Sequence, residues 1–242
     1  MENNFTSQQM PRLGDTAPSF TALTTEGIIN FPEDYHGRWK ILFSHPADFT
    51  SVCTTEFVAF ARWHEKFKEL GCELIGVSID SITSHNAWLH TINERLDYNG
   101  RVEVRFPLVA DITMKVSRLY GMLQPNASTT AAVRTVFFID PMDKVRATLC
   151  YPAPLGRNFE ELYRVLVGLQ TIDAFEVALP ADWKPGSDVI SPAPATPREI
   201  QARVEKPAKD EKCYEWFLCT KPLPKEKIEE KLHHQLKNMF GM

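Results

Sequence analysis

Hydrophobic and polar positions alternate along this chain in a readable order. "KILFSH" (40–45) is a short apolar run that predicts a buried strand. In residues 51–70, Phe57, Phe60, Ala61, Phe67 and Leu70 recur mostly at three- and four-residue steps, which predicts a helix. Gly71 stands where that helix should stop. "CELIGVSID" (72–80) predicts a second buried strand, and residues 81–96 a helix capped by Ser81. "VRFPLVAD" (104–111) reads as an edge-like extended piece and "MKVSRLYGM" (114–122) as a short helix. "RTVFFID" (134–140) and "VRATLCYP" (145–152) read as two strands joined by a Pro-Met-Asp-Lys turn. Residues 158–175 predict a helix with an Asn158 cap.

Strand–helix–strand–helix followed by a hairpin and a helix implies a mixed sheet with flanking helices, a thioredoxin-like α/β arrangement. Composition changes near residue 180, where "LPADWKPGSDVISPAPATP" reads as a proline-rich connector. A last amphipathic helix (225–240) sets Ile228, Leu232, Leu236 and Met239 or Phe240 on one face. The expected division is a thioredoxin-like domain over 1–175 and a C-terminal extension over 176–242. The extension is too small to own a large core and is expected to pack on the first domain or on another subunit.

Bulk properties narrow the field. The 242 residues carry a net charge of −4 and 43% hydrophobic residues, so no basic surface suggests nucleic acid or an anionic membrane as partner. No apolar run approaches the roughly 20 residues needed to span a bilayer. The first residues lack the basic-then-apolar pattern of a secretory leader. A soluble cytoplasmic protein is the default. Five cysteines (53, 72, 150, 213 and 219) do not form a secreted disulfide framework.

Cys53 lies in "HPADFTSVCTTE" (45–56), inside the first turn of its predicted helix. A thiolate, not a thiol, is the nucleophile, and a helix N-terminus with its unpaired amides favours negative charge. Thr50, three residues earlier, is an N-cap candidate whose hydroxyl can also donate to the sulfur. Pro46 fixes the backbone entering the loop. A cysteine beside a helix cap also serves as a small buried hydrophobe, so the residues alone leave both readings open.

Pro46-x-x-x-Thr50-x-x-Cys53 matches the signature of peroxiredoxins. The wider "SHPADFTSVCTTE" resembles their long-armed subfamily, which includes one-cysteine enzymes and archaeal-type thioredoxin peroxidases. "PRLGDTAPSF" (11–20), "PLVAD" (107–111), "RTVFFIDP" (134–141) and "YPAPLGRNFEELYRVL" (151–166) follow in the expected order. The resemblance covers nearly the whole chain. It implies that Cys53 attacks the peroxide O–O bond, that Thr50 bonds thiolate and peroxide, and that Pro46 shields the pocket. It further implies that Arg134 pairs with the thiolate, that Arg157 is a second pocket arginine, and that His45 contacts peroxide. Glu56 matches a flanking position. No cofactor and no metal are implied. Implied partners are a hydroperoxide, a thiol reductant such as thioredoxin or glutaredoxin, and further copies of the chain as a dimer or a decamer of five dimers.

Each residue has a plainer role to set beside this one. Arginines opening a strand are usually solvated, Arg157 would serve as a residue before a helix cap, and Glu56 as a first-turn acid. Cys72 and Cys150 read as buried packing thiols in strands. Cys213 and Cys219 flank "YEWFL" without the cysteine or histidine pair that zinc needs. The segment resembles the C-x5-C tail of the long-armed enzymes, which implies Cys219 as the resolving cysteine with Cys213 as auxiliary. His64, His85, His90, His233 and His234 read as solvated surface. A lipid-hydrolase reading fails because "DYHGRWKILF" has Arg38 where a serine nucleophile would be needed. The alternative from another class is a peroxide-responsive holdase or redox sensor whose assembly switches when Cys53 is oxidised.

Overall fold

The computed structural model describes residues 9–124, 126–128, 131–206 and 208–240, the last three by backbone alone. Met239 and Phe240, expected on the face of the final helix, therefore have side chains outside the described residues. The chain forms two compact units, residues 1–159 and 160–242.

The first unit is built on a seven-stranded sheet in the order β2-β1-β5-β4-β3-β6-β7. The strands are β1 (Phe20–Thr24), β2 (Gly27–Phe31), β3 (Trp39–Ser44), β4 (Cys72–Ser78), β5 (Leu108–Ala110), β6 (Arg134–Ile139) and β7 (Val145–Tyr151). β3, β4 and β5 run parallel, and the remaining pairings are antiparallel. Helices α1 (Ser51–Lys68), α2 (Ile82–Glu94) and α3 (Lys115–Leu119) connect them. The mixed thioredoxin-like sheet expected from the pattern is present.

One expectation about the sheet needs correction. Residues 108–110 are not an edge: β5 lies between β1 and β4, because the hairpin β1–β2 extends the sheet beyond it. That hairpin went unread although "TTEG" separates two half-alternating runs.

All six residues of β3 are buried, as a central strand covered on both faces requires. One face carries Phe43, stacked on Phe60 of α1 with ring centroids 3.9 Å apart and edge-on to Phe57 and Phe106. The other gathers Leu42, Ile75, Val77, Val109 and Phe137 with Phe20, Phe31 and Tyr120. Each large buried side chain of this kind contributes about 2–3 kcal/mol. Gly76 in β4 is a close approach: a Cβ there would meet Leu108 Cδ1 at 2.8 Å. Buried Lys40 is the exception on β3 and is paired with Asp143 of the β6–β7 turn.

The second unit contains α4 (Phe159–Phe175), whose first residue closes the first unit, then β8 (Val189–Ile190), α5 (Pro197–Glu205), β9 (Lys212–Glu215), β10 (Leu218–Lys221) and α6 (Lys225–Phe240). Its strands form a sheet in the order β8-β10-β9. α5 begins with a complete capping box, Thr196 to Glu199, and Pro197 as its first residue. The connector and the stretch after it are thus more structured than their prolines suggest. Ile228 and Leu232 are buried on α6 as expected. Among the described residues, no helix is long and apolar enough to cross a membrane.

Candidate active site

The α1 helix starts where β3 ends, after a six-residue loop (45–50). Thr50 occupies the N-cap with extended backbone, and Cys53 is the third helical residue. The first helical hydrogen bond runs from Thr54 N to Thr50 O at 2.9 Å, so the amides of residues 51–53 have no partner within the helix. Cys53 is fully buried.

The loop is pinned to the end of β4. His45 N donates to Val77 O at 3.0 Å, Asp48 N to Asp80 Oδ2 at 3.0 Å, and Ser78 Oγ to the same oxygen at 2.8 Å. Phe49 has a left-handed backbone, φ 55°, and an exposed ring. Pro46 is half-buried. The Thr50 hydroxyl donates to Ala47 O at 2.9 Å and makes no cap bond. The expected bond from Thr50 to the Cys53 sulfur is therefore absent in this state: the hydroxyl closes the loop's own turn.

The donor on the sulfur is Arg134. Its Nη1 lies 3.4 Å from Cys53 Sγ and 2.6 Å from Glu56 Oε2. Its Nε and Nη2 donate to Ala153 O at 2.9 and 2.6 Å. Arg134 opens β6, yet it is only 2% exposed, because β6 lies between β3 and β7. Arg157 does not bond the sulfur. Its Nη1 and backbone N donate to the two oxygens of Glu56, each at 2.9 Å, and its Nη2 donates to Ser44 O. Its guanidinium also lies over the rings of Phe43 and Phe60. Burial lowers Arg157 to about 10, against the pull of Glu56 and with Arg134 adding to the fall, which leaves it charged at neutral pH.

Glu56 is thus the shared counter-ion of two buried guanidiniums. Two positive charges and one negative leave one positive charge beside the sulfur. A thiolate on Cys53 balances it, and a leaving oxygen would meet the same field. Arg157 Nε and His45 Nδ1 are buried without hydrogen-bond partners.

A second buried cluster supports the loop. His45 Nε2 lies 3.0 Å from Asp48 Oδ1, and His85 Nδ1 lies 2.8 Å from Asp48 Oδ2. His85 Nε2 lies 3.1 Å from Val109 O. Burial pushes the Asp48 carboxyl up, but hydrogen bonds from His45 and His85 outweigh it and hold Asp48 at about 2. Burial lowers His45, against its bond to Asp48. The neutral His45 ring then donates through Nε2 and presents Nδ1 as an acceptor. His85 was expected on the surface but is fully buried, and His64 is buried as well. Asp48 and His85 are the site residues that sequence reasoning missed. Asp48 stands inside "HPADF", where an acid flanked by a histidine was the available signal. His45, Asp48 and Asp80 come within 4.8 Å as a metal-like set, but their atoms are committed to one another and to Ser78.

Cys72 is buried as expected, and burial with Glu73 pushes its thiol well up. Cys150 was expected to be buried and is exposed, because β7 is the outer strand of the sheet. In the second unit Cys213 and Cys219 face each other across β9 and β10 and are joined as a disulfide.

Comparison with known proteins gives a consistent result. A profile described as the AhpC/TSA family matches residues 13–148, and one described as the C-terminal domain of 1-Cys peroxiredoxin matches residues 168–206. A peroxiredoxin of Methanosarcina mazei is 53% identical over 214 residues, covering 88% of this chain and 98% of that protein. One from Aquifex aeolicus is 45% identical over 222 residues, covering 88% and 97%. Among solved structures, a yeast mitochondrial 1-Cys peroxiredoxin, described for thiol resolution via glutathione and thioredoxin systems, matches with TM-score 0.76 and 36% identity, over 88% of this chain and all of that one. A variant of peroxiredoxin 6 from Arenicola marina matches with TM-score 0.76 and 32% identity, over 88% and 99%.

Proposed function

Since this chain belongs to the AhpC/TSA family of peroxiredoxins and is a thiol-dependent peroxidase, we propose that Cys53 is its peroxide-attacking cysteine. The observation that carries this is the bond from Arg134 Nη1 to Cys53 Sγ at 3.4 Å. The thiolate attacks one peroxide oxygen and the O–O bond breaks. Cys53 becomes a sulfenic acid, and the other oxygen leaves as hydroxide or alkoxide and takes a proton. Arg134 holds the sulfur and stabilises charge on the departing oxygen. Glu56 orients both arginines. His45, through its free Nδ1, accepts a hydrogen bond from the bound hydroperoxide. Pro46 limits water, and Thr50 sets the loop and first turn.

The tail cysteines complete the cycle. Cys219 attacks the sulfenic acid, water leaves, and a disulfide to Cys53 forms. Cys213 then takes over the bond to Cys219 and frees Cys53. The Cys213–Cys219 disulfide fits this route as its end product. An external thiol, of thioredoxin or glutaredoxin type, reduces it. We assign residues 176–242 as a subunit-exchanging dimerisation arm, with assembly to a ring of five dimers and a cytoplasmic setting. Sizing of oxidised and reduced protein tests the assembly, and a change in size without turnover would favour the sensor reading instead.

The test of the central assignment is peroxide consumption with a thiol donor. Cys53→Ser is expected to abolish it, and persisting activity would overturn the reading. Non-reducing mass spectrometry after one equivalent of peroxide is expected to show Cys53 joined to Cys219 in Cys213→Ser. A bond to Cys213 in Cys219→Ser at the same yield would reverse the two tail roles.

A further inference from the structure

The small sheet of the second unit holds a polar group that the scheme above leaves idle. Cys219 on β10 has strands on both sides. Cys213 of β9 is its register partner on one side. On the other, Thr220 pairs with Ile190, and Ser191 N donates to Cys219 O at 2.9 Å, so Ser191 lies opposite Cys219. Directly opposed residues of antiparallel strands place their side chains on the same face. Ser191 is 2% exposed and Cys219 is fully buried. Ser191 Oγ has no hydrogen-bond partner. A buried hydroxyl left unpaired is unfavourable and calls for a reason.

Two acceptors lie near the sulfurs. A Glu211 carboxylate oxygen lies within 4.8 Å of both sulfurs, and Glu215 O is 3.6 Å from Cys219 Sγ. Both oppose negative charge on sulfur. The two sulfurs also differ in access, since Cys213 is half-buried and Cys219 is covered.

We propose that the tail disulfide opens in one direction: an incoming thiolate attacks Cys213 Sγ, and Cys219 leaves as a thiolate that accepts the Ser191 hydroxyl hydrogen. The bond between Cys213 and Cys219 breaks, a bond between the reductant sulfur and Cys213 forms, and the electron pair of the broken bond stays on Cys219. A second thiol of the reductant attacks the mixed disulfide, releases Cys213 as thiolate and leaves the reductant oxidised. Exchange is faster when the leaving sulfur is stabilised. An uncommitted hydroxyl beside the disulfide meets the new charge without first giving up another bond. Ser191 favours opening, and Glu211 opposes it. The inference rests on the reading that the tail pair belongs to the thiol cycle, but its test reads the pair itself and not turnover.

Full-length protein is oxidised and equilibrated with fixed ratios of reduced and oxidised dithiothreitol. It is then quenched in acid and alkylated, and the tail peptides are quantified by mass spectrometry. Ser191→Ala is expected to lower the equilibrium constant for reducing the Cys213–Cys219 pair by about fivefold. Glu211→Gln is expected to raise it, and carries the test if Ser191→Ala fails to fold. Brief exposure to limiting glutathione should place the adduct on Cys213 with Cys219 alkylated. An unchanged equilibrium in folded Ser191→Ala, a fall in Glu211→Gln, or an adduct on Cys219 overturns the proposal. Full peroxidase turnover in Cys219→Ser would instead remove the tail from the cycle and leave these readouts intact.

Discussion

Arg134 and Cys53 meet at 3.4 Å although 81 positions separate them. The contact requires three placements at once: a helix that starts at the end of β3, a strand β6 beside β3, and a side chain anchored behind the contact on Ala153 O. A guanidinium spreads its donors over a planar fork that reaches sulfur, carboxylate and carbonyl together, whereas the donors of an ammonium share one nitrogen.

Arg134→Lys is therefore expected to slow oxidation of Cys53 by hydrogen peroxide by about 100-fold, the cost of losing a placed donor at a charged transition state. Stopped-flow tryptophan fluorescence reads the rate, and a rate equal to that of the unaltered protein would take Arg134 out of the chemistry.

Glu56 should matter to the fold as much as to the reaction. Glu56→Ala leaves two buried guanidiniums facing each other and is expected to cost about 3–5 kcal/mol in urea unfolding. Glu56→Gln keeps two acceptor contacts in part and should cost less. Equal losses would mean that shape, and not charge, is what the position supplies.

The Asp48 cluster predicts a defined acid limb. Asp48 is held at about 2 when folded, below the usual carboxylate range. Its ionised form is thus favoured by folding: the contribution is complete above about pH 4 and is lost as pH falls toward 2. Asp48→Asn should flatten this part of the stability curve by about 1–2 kcal/mol. Thermal melts from pH 5 to pH 2 measure it, and parallel curves for the two proteins would refute the assignment.

The free thiols should sort by exposure. Iodoacetamide under native conditions is expected to label Cys150 and to spare Cys72, which burial holds protonated and covered. Cys150→Ser should retain peroxidase activity. Loss of activity there would mean that the outer strand participates in the reaction.

The parts of the site that the sequence revealed are those encoded locally. Pro46, Thr50 and Cys53 lie within eight positions, and the helix they open follows from its own apolar spacing. Arg134 and Arg157 were reached through motif order, since nothing in their neighbours tells a buried strand arginine from a solvated one. His85 escaped because its partners, Asp48 and Val109, lie 37 and 24 positions away. Cys150 was misread because alternation within β7 does not say whether another strand lies outside it. The β9–β10 hairpin escaped because "KCYEWFLCTK" lacks the Asn-Gly or Asp-Gly turn that marks tight hairpins.

Glu56 accepts from Arg134 Nη1, Arg157 Nη1 and the Arg157 amide. Sharing one carboxylate binds three distant positions into a single heritable unit. A lineage that altered one of them would pass through a protein with a stranded internal charge, so double substitutions should be strongly non-additive. The same dependence limits transplantation. Grafting the Pro46–Cys53 loop onto another thioredoxin-like sheet would carry the sulfur across and leave its counter-charges behind.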